Sequence, residues 1–182
     1  MKESTKGEIF SLVKSVAFAF IIAMICRQFL FTPTTVLGAS MSPTFQDKDR
    51  VVVSKTSEIE RFDVIVFDAP DMEGEHYIKR VIGLPGDRIE MKDDVLYING
   101  EALEEPYLIE NIEDNPFNKL TEDFSLQEKT GESLVPKDML FVMGDNRLKS
   151  RDSRTFGLVS YDAVIGEVKF RFYPFKEIGI PK

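Results

Sequence analysis

The chain has a single cysteine, Cys26, and a single histidine, His76. One cysteine excludes an internal disulfide and a cysteine-based zinc site, and one histidine excludes a histidine-rich metal centre. A basic surplus is also missing: 31 acidic residues stand against 23 basic ones, for a net charge of -8. No excess of cations is available to neutralise phosphates, which argues against nucleic acid as the main partner. No internal repeat is visible, and no long helical period appears beyond residue 31. What is present is enough for one packed domain with a small insertion or anchor, since 182 residues carry a 43% apolar fraction.

Residues 1–8 are polar and read as a cytoplasmic tail. Residues 9–31 are mostly apolar, and 16–26 are unbroken by any polar residue. As a helix, 9–31 would reach ~34 Å at about 1.5 Å per residue, against roughly 30 Å of hydrocarbon. Lys14 and Arg27 lie near its ends, where long side chains reach the headgroups. The leading reading is a transmembrane anchor. A cleaved secretory signal and a buried core helix are the alternatives. The region Arg27-Gln28-Phe29-Leu30-Phe31 is bulky and charged where a cleavage site needs small residues. Lys2, Lys6 and Lys14 favour an N-terminus inside and the rest of the chain outside.

From residue 32 onward the pattern changes. Pro33 lacks an N–H and restrains Thr32, so a helix cannot continue well. Short β-like runs follow at 50–54, 63–67, 77–83, 88–91, 95–98, 139–143 and 164–173. Asn99-Gly100 is a strong hairpin signal between two of these apolar runs, because both residues tolerate positive φ. The expectation is an all-β, antiparallel catalytic domain over 32–182, barrel- or sandwich-like. Within it, residues 104–133 hold nine acidic residues against Lys119 and Lys129, which accounts for most of the net charge. This stretch reads as an irregular acidic surface insertion. It is either a solvated loop or a segment that binds substrate or partner.

Ser40, in Gly38-Ala39-Ser40-Met41-Ser42-Pro43-Thr44, is the candidate nucleophile. Gly38 gives backbone freedom and Pro43 stiffens the exit. A loop held this way can aim the Ser40 N–H at a developing oxyanion, although a purely structural turn stays open on this evidence. The candidate base is Lys79. In a strand it shares its face with Tyr77 and Val81, while Ile78 and Arg80 point the other way. An ordinary lysine is neutral only about 0.04% of the time at pH 7; a pKa of about 8 raises that to roughly 10%. The competing reading is a strand lysine with its head in water. A third stretch, Gly144-Asp145-Asn146-Arg147 on to Asp152-Ser153-Arg154, has no obvious nucleophile and suits a supporting role. The order Ser40, His76, then Asp145 or Asp152 also permits a Ser-His-Asp triad. Against that, His76 and Lys79 are an odd number of residues apart and face opposite sides of a strand, and His76 follows a polar turn.

Together these stretches resemble the bacterial type I signal peptidases. Four boxes carry the resemblance: 38–44; Arg61-Phe62-Asp63-Val64-Ile65-Val66-Phe67; Tyr77-Ile78-Lys79-Arg80-Val81-Ile82-Gly83-Leu84-Pro85-Gly86-Asp87; and Gly144-Asp145-Asn146-Arg147 through Ser150, Asp152, Ser153 and Arg154. The resemblance implies that Ser40 is the nucleophile and Lys79 the general base. It implies that Ser150 hydrogen-bonds Lys79, that Asp145 pairs with Arg80, and that Asp152 and Arg154 brace the site. It further implies that Val36, Tyr77 and Ile78 line shallow pockets for small side chains before the cut.

Two positions depart from the pattern. Gly38 stands where some relatives carry a hydroxyl that donates to the oxyanion, and Phe62 stands where the second box usually has glycine. The short insertion and single anchor resemble the compact Gram-positive form. The function implied is removal of signal peptides from exported preproteins at the plasma membrane. The partners implied are those peptides and membrane lipid, with no metal or organic cofactor and no nucleic acid. Two rivals remain: a self-cleaving Ser–Lys protease of the repressor type, and a tethered β-domain without catalysis.

Overall fold

The computed structural model describes the backbone of residues 2–181 and the side chains of 8–24 and 30–181. The side chains of Lys2, Lys6, Cys26 and Arg27, which the topology and cysteine readings use, lie outside that set. The chain opens with one helix, α1 (Lys2–Phe29). Every described side chain on it is exposed, including Phe10, Leu12, Val16, Phe18 and Phe20. Among the described residues no helix is long and apolar enough to cross a membrane.

The rest is mainly antiparallel sheet. Its strands are β1 (Phe31–Thr35), β2 (Arg50–Ser54), β3 (Val64–Asp68), β4 (His76–Gly83), β5 (Ile89–Lys92), β6 (Val95–Ile98), β7 (Glu101–Leu103), β8 (Phe124–Ser125), β9 (Met139–Met143), β10 (Val159–Ser160) and β11 (Val164–Tyr173). Seven of them form one sheet in the order β1-β2-β11-β3-β4-β9-β10, and four form a second in the order β7-β6-β5-β8. This is two sheets and not one closed barrel, since no pairing joins β1 to β10 among the described residues. Short helices α2 (Ile109–Asp114), α3 (Leu126–Thr130) and α4 (Ser153–Phe156) punctuate the chain.

β1 contains Pro33, and it sits at the edge of the larger sheet. An edge strand needs ladder bonds on one side only, so it tolerates a residue without an N–H. β3 is buried on both faces, with Val64 and Val66 in one apolar cluster and Ile65 and Phe67 in another. Its run of apolar residues is therefore a central strand. The hairpin β6–β7 turns at Asn99-Gly100, with φ of 55° and 86°.

The acidic stretch 104–133 is more ordered than its composition implies. It contributes α2, β8 and α3, and it buries Leu108, Leu120, Phe124 and Leu126. Phe124 and Leu126 join the core beneath the smaller sheet, and Phe124 stacks on Phe141. α3 begins with a complete capping box between Ser125 and Glu128, which satisfies two backbone donors at once.

Candidate active site

Ser40 lies in the turn between β1 and β2, outside any ladder. Gly38 has φ +83°, a left-handed conformation that a Cβ would strain, and its N–H donates to Asp47 Oδ1 at 2.9 Å. Beyond Ser40 the turn is anchored by the fully buried Met41 and Phe45. Thr44 Oγ1 donates to Asp145 Oδ2 at 2.6 Å. The Asn146 N–H donates to Ser40 O at 3.1 Å, and Asn146 Nδ2 donates to Ala39 O at 3.0 Å. Gly144 packs so closely that a Cβ there would collide with Ser40 O and Ser150 Oγ. A glycine is required at that position by approach, not by dihedral angle.

Lys79 and Arg80 are neighbours on β4 with opposite environments. Both are nearly inaccessible, at 3% and 5% exposed. Alternation along the strand sends them to opposite faces. Arg80 makes a bidentate ion pair with Asp145, Nε to Oδ1 at 2.9 Å and Nη2 to Oδ2 at 2.6 Å. Its guanidinium also lies 3.9 Å from the ring centre of Tyr107. Lys79 has no such carboxylate in contact. Its Nζ donates to Ser40 Oγ at 2.8 Å and to Ile78 O at 2.8 Å. Burial brings the Lys79 ammonium down from its ordinary range to about 8, with Asp152 and Asp145 opposing the shift from a distance. Removing a cation from water without a contacting counter-charge favours the neutral amine, which is the form able to accept a proton from a serine hydroxyl.

The third stretch forms the wall behind the lysine. Asp152 is fully buried and caps α4. It takes Arg154 Nε and Nη2 at 2.8 Å each, and the Gly144 N–H at 3.0 Å. Burial works to raise the Asp152 carboxyl, but the hydrogen bond and charge of Arg154, with the Gly144 N–H, bring it below its ordinary value. Ser150 sits against Gly144, yet its buried Oγ makes no hydrogen bond of ordinary geometry among the described residues. The donors of Lys79 go instead to Ser40 and the Ile78 carbonyl.

A cleft of about 360 Å³ opens in front of Ser40, lined on one side by residues 34–40 and on the other by 74–79, with Lys149 and Arg151 at its rim. Val36, Tyr77 and Ile78 all line it; Val36 and Ile78 are buried and Tyr77 is half-buried. Pairing of β4 with β9 begins only at Arg80. Residues 77–79 are therefore free on that side, an edge to which an extended peptide can add as a strand. The Ser40 N–H has no protein acceptor among the described residues. His76 stands at the start of β4, exposed and paired through Nδ1 with Asp68 at 2.9 Å. Neither Asp145 nor Asp152 reaches it: the first holds Arg80 and Thr44, the second Arg154 and Gly144.

Several residues that shape this site carry no chemistry of their own, and sequence reasoning passed over them. They are Thr44 and Asn146, which lie inside the first and fourth boxes without an assigned role, and Glu105, Tyr107 and Asn111, which lie outside the boxes. Glu105 forms a buried ion pair with Arg147, and the Tyr107 hydroxyl donates to Glu105. No local signal marks them, because each acts across a long stretch of chain. Among the described residues no group of side chains is arranged to hold a metal ion.

Comparison with known proteins shows the family. The family described as "Signal peptidase, peptidase S26" matches residues 9–173. The chain is 42% identical over 180 residues to signal peptidase IB of Staphylococcus aureus (strain COL), covering 94% of this chain and 93% of that one. It is 47% identical over 157 residues to signal peptidase I of Bacillus caldolyticus, covering 84% and 85%. A crystal structure of a signal peptidase I from Enterococcus faecalis V583 is similar with a TM-score of 0.58 at 44% identity; the match covers 61% of this chain and 97% of that one.

Proposed function

The chain belongs to the signal peptidases of peptidase family S26, and we propose that it removes N-terminal signal peptides from secreted preproteins, with Ser40 and Lys79 as its catalytic pair. The observation that carries the assignment of residues is the 2.8 Å contact between a buried lysine without a contacting carboxylate and a serine at the floor of a cleft. Neutral Lys79 takes the Ser40 proton as Oγ attacks the scissile carbonyl, and the Ser40 N–H faces the developing oxyanion. Lys79 then returns the proton to the leaving amine. Water, deprotonated by the same amine, hydrolyses the acyl-enzyme. Arg80, Asp145, Asp152 and Arg154 hold the two reacting groups in register. The oxyanion has no second side-chain donor at position 38, which is glycine.

The substrate's residues before the cut lie extended along the free edge of β4, with small side chains against Val36, Tyr77 and Ile78. Residues 9–31 anchor the protein in the plasma membrane, residues 1–8 remain cytoplasmic, and residues 32–182 form the extracytoplasmic domain. What supports the anchor is the sequence run 16–26, apolar throughout, and a helix whose described apolar side chains are all exposed.

The test is incubation of the purified protein with a preprotein, followed by mapping of the cut. Cleavage after small residues is expected. It should vanish in Ser40→Ala and in Lys79→Ala, with both variants folded, and survive in His76→Ala. An active Lys79→Ala protein beside an inert His76→Ala protein would restore the triad.

A further inference from the structure

Ser40 belongs to no strand or helix, so its position depends on what holds the carbonyls around it. Four are held by side chains or backbone from elsewhere in the chain, one of them Thr44 O, which accepts from Arg171 Nη1 at 2.9 Å. Asn146 takes those of Ala39 and Ser40. The fourth, Ser42 O, is taken by Asn111 Nδ2 at 3.2 Å. The same Nδ2 donates to Asp145 O at 2.9 Å. A primary amide has two N–H donors on one nitrogen, and here they join the nucleophile turn to the loop whose carboxylate holds Arg80.

Asn111 comes from α2, in the acidic stretch 104–133. That stretch is latched to the same neighbourhood at two further points. Glu105 pairs with the buried Arg147, and Tyr107 lies under the Arg80 guanidinium. α2 itself buries no residue. Its placement is therefore not explained by core packing, and the contacts it makes towards the site stand out. We infer that Asn111 is a positioning residue for the Ser40–Lys79 pair, acting by tying the Ser42 and Asp145 carbonyls together, and that the acidic insertion serves the active site as a brace. The inference rests on the peptidase reading above.

Loss of the tie frees the turn at one of its four held carbonyls. Small displacements of a nucleophile cost large factors in rate, so Asn111→Ala should lower kcat on a soluble peptide about tenfold. KM should stay the same, since the cleft walls at 34–37 and 76–78 are untouched. Labelling of Ser40 by a serine-reactive acylating inhibitor should slow in proportion to kcat. The midpoint of the pH–rate profile and the thermal midpoint should not move, because Asn111 contacts neither Lys79 nor the core. Asn111→Asp keeps the shape but turns a carboxylate oxygen towards two carbonyls, and should lose at least as much. Glu110→Gln, on the same helix, should match the wild type. Wild-type kcat in both Asn111 variants overturns the inference and leaves the peptidase reading intact. So does a loss of kcat that tracks a lowered thermal midpoint in both variants. A wild-type protein that neither cuts peptide nor labels overturns both.

Discussion

The N-terminal helix and the β-domain break the usual partition of residues in opposite ways. Along α1 the described apolar side chains are all exposed, while the β-domain buries Lys79, Arg80, Asp145, Arg147 and Asp152. An exposed apolar helix needs a non-aqueous neighbour to be stable as it stands. A buried charge needs a partner of opposite sign or must become neutral. In the domain both answers occur on adjacent residues. Arg80 is fully paired with Asp145; among the described residues Lys79 hydrogen-bonds only a hydroxyl and a carbonyl. The difference between structural support and reactivity in this site is the presence or absence of one contacting carboxylate.

Breaking the paired side of that comparison should have the largest effect. Asp145→Ala would strand Arg80 at 5% exposure and leave Thr44 Oγ1 without its acceptor. Removing one partner of a buried ion pair typically costs about 3–5 kcal/mol, and chemical denaturation should show a loss of that order. A variant of unchanged stability would mean that Arg80 finds another partner or water.

The unpaired side should respond with the opposite sign. Lys79 titrates at about 8 in the folded protein, below its ordinary 10.5. Below pH 8 both folded and unfolded chains carry the proton, and the folded state bears the whole desolvation cost. Between about 8 and 10.5 the unfolded chain binds more protons, so stability rises with pH by up to about 3 kcal/mol. Lys79→Met should accordingly be more stable than the wild type at pH 7, inactive, and flat across that window. A wild-type denaturation midpoint that does not move between pH 8 and 10 would contradict a buried, depressed lysine. Activity should follow the same group: kcat/KM for the wild type should climb through about pH 8 as the neutral amine accumulates. A limb near the pKa of imidazole would point elsewhere.

The smallest effect is expected from removing α1. A chain beginning at Leu30 keeps the Leu30 carbonyl that takes the Lys55 N–H, and it keeps all of β1. Its thermal midpoint and its cleavage of a soluble peptide should match the full chain. Cleavage of a membrane-inserted preprotein should fall, because tethering sets the local concentration. A folded but inert truncation would show that helix and domain are not separable in the way their exposures indicate.

Much of this contrast could be read along the chain because its causes are local. The apolar run at 16–26 is contiguous. The strands at 50–54, 95–98, 139–143 and 164–173 have the bounds that their residue pattern implies. The hairpin at Asn99-Gly100 follows from two residues that accept positive φ. Strand parity places Lys79 and Arg80 on opposite faces before any coordinates are known. Edge strand β1 was hidden by Pro33, which marks a helix stop equally well. The two-residue strands β8 and β10 are too short to show a period. α3 did carry a local signal, the Ser125–Glu128 capping-box spacing, which the acidity of its surroundings masked.

Residue types alone do not reveal the partnerships; Ser40–Lys79 and Arg80–Asp145 come only through the family resemblance. Thr44 and Asp145 are 101 residues apart, Asn111 and Ser42 are 69 apart, and Arg80 and Asp145 are 65 apart. Nothing in a residue type states which distant carbonyl or carboxylate it will meet. The same holds for the collision that forbids a side chain at Gly144, and for the burial that separates Lys79 from every contacting anion. Local sequence settles which residues form strands, because alternation and turn chemistry act over a few bonds. Only the packing of two sheets and an insertion around one turn decides that a serine meets a lysine stripped of water, because desolvation belongs to the enclosure and not to the residue.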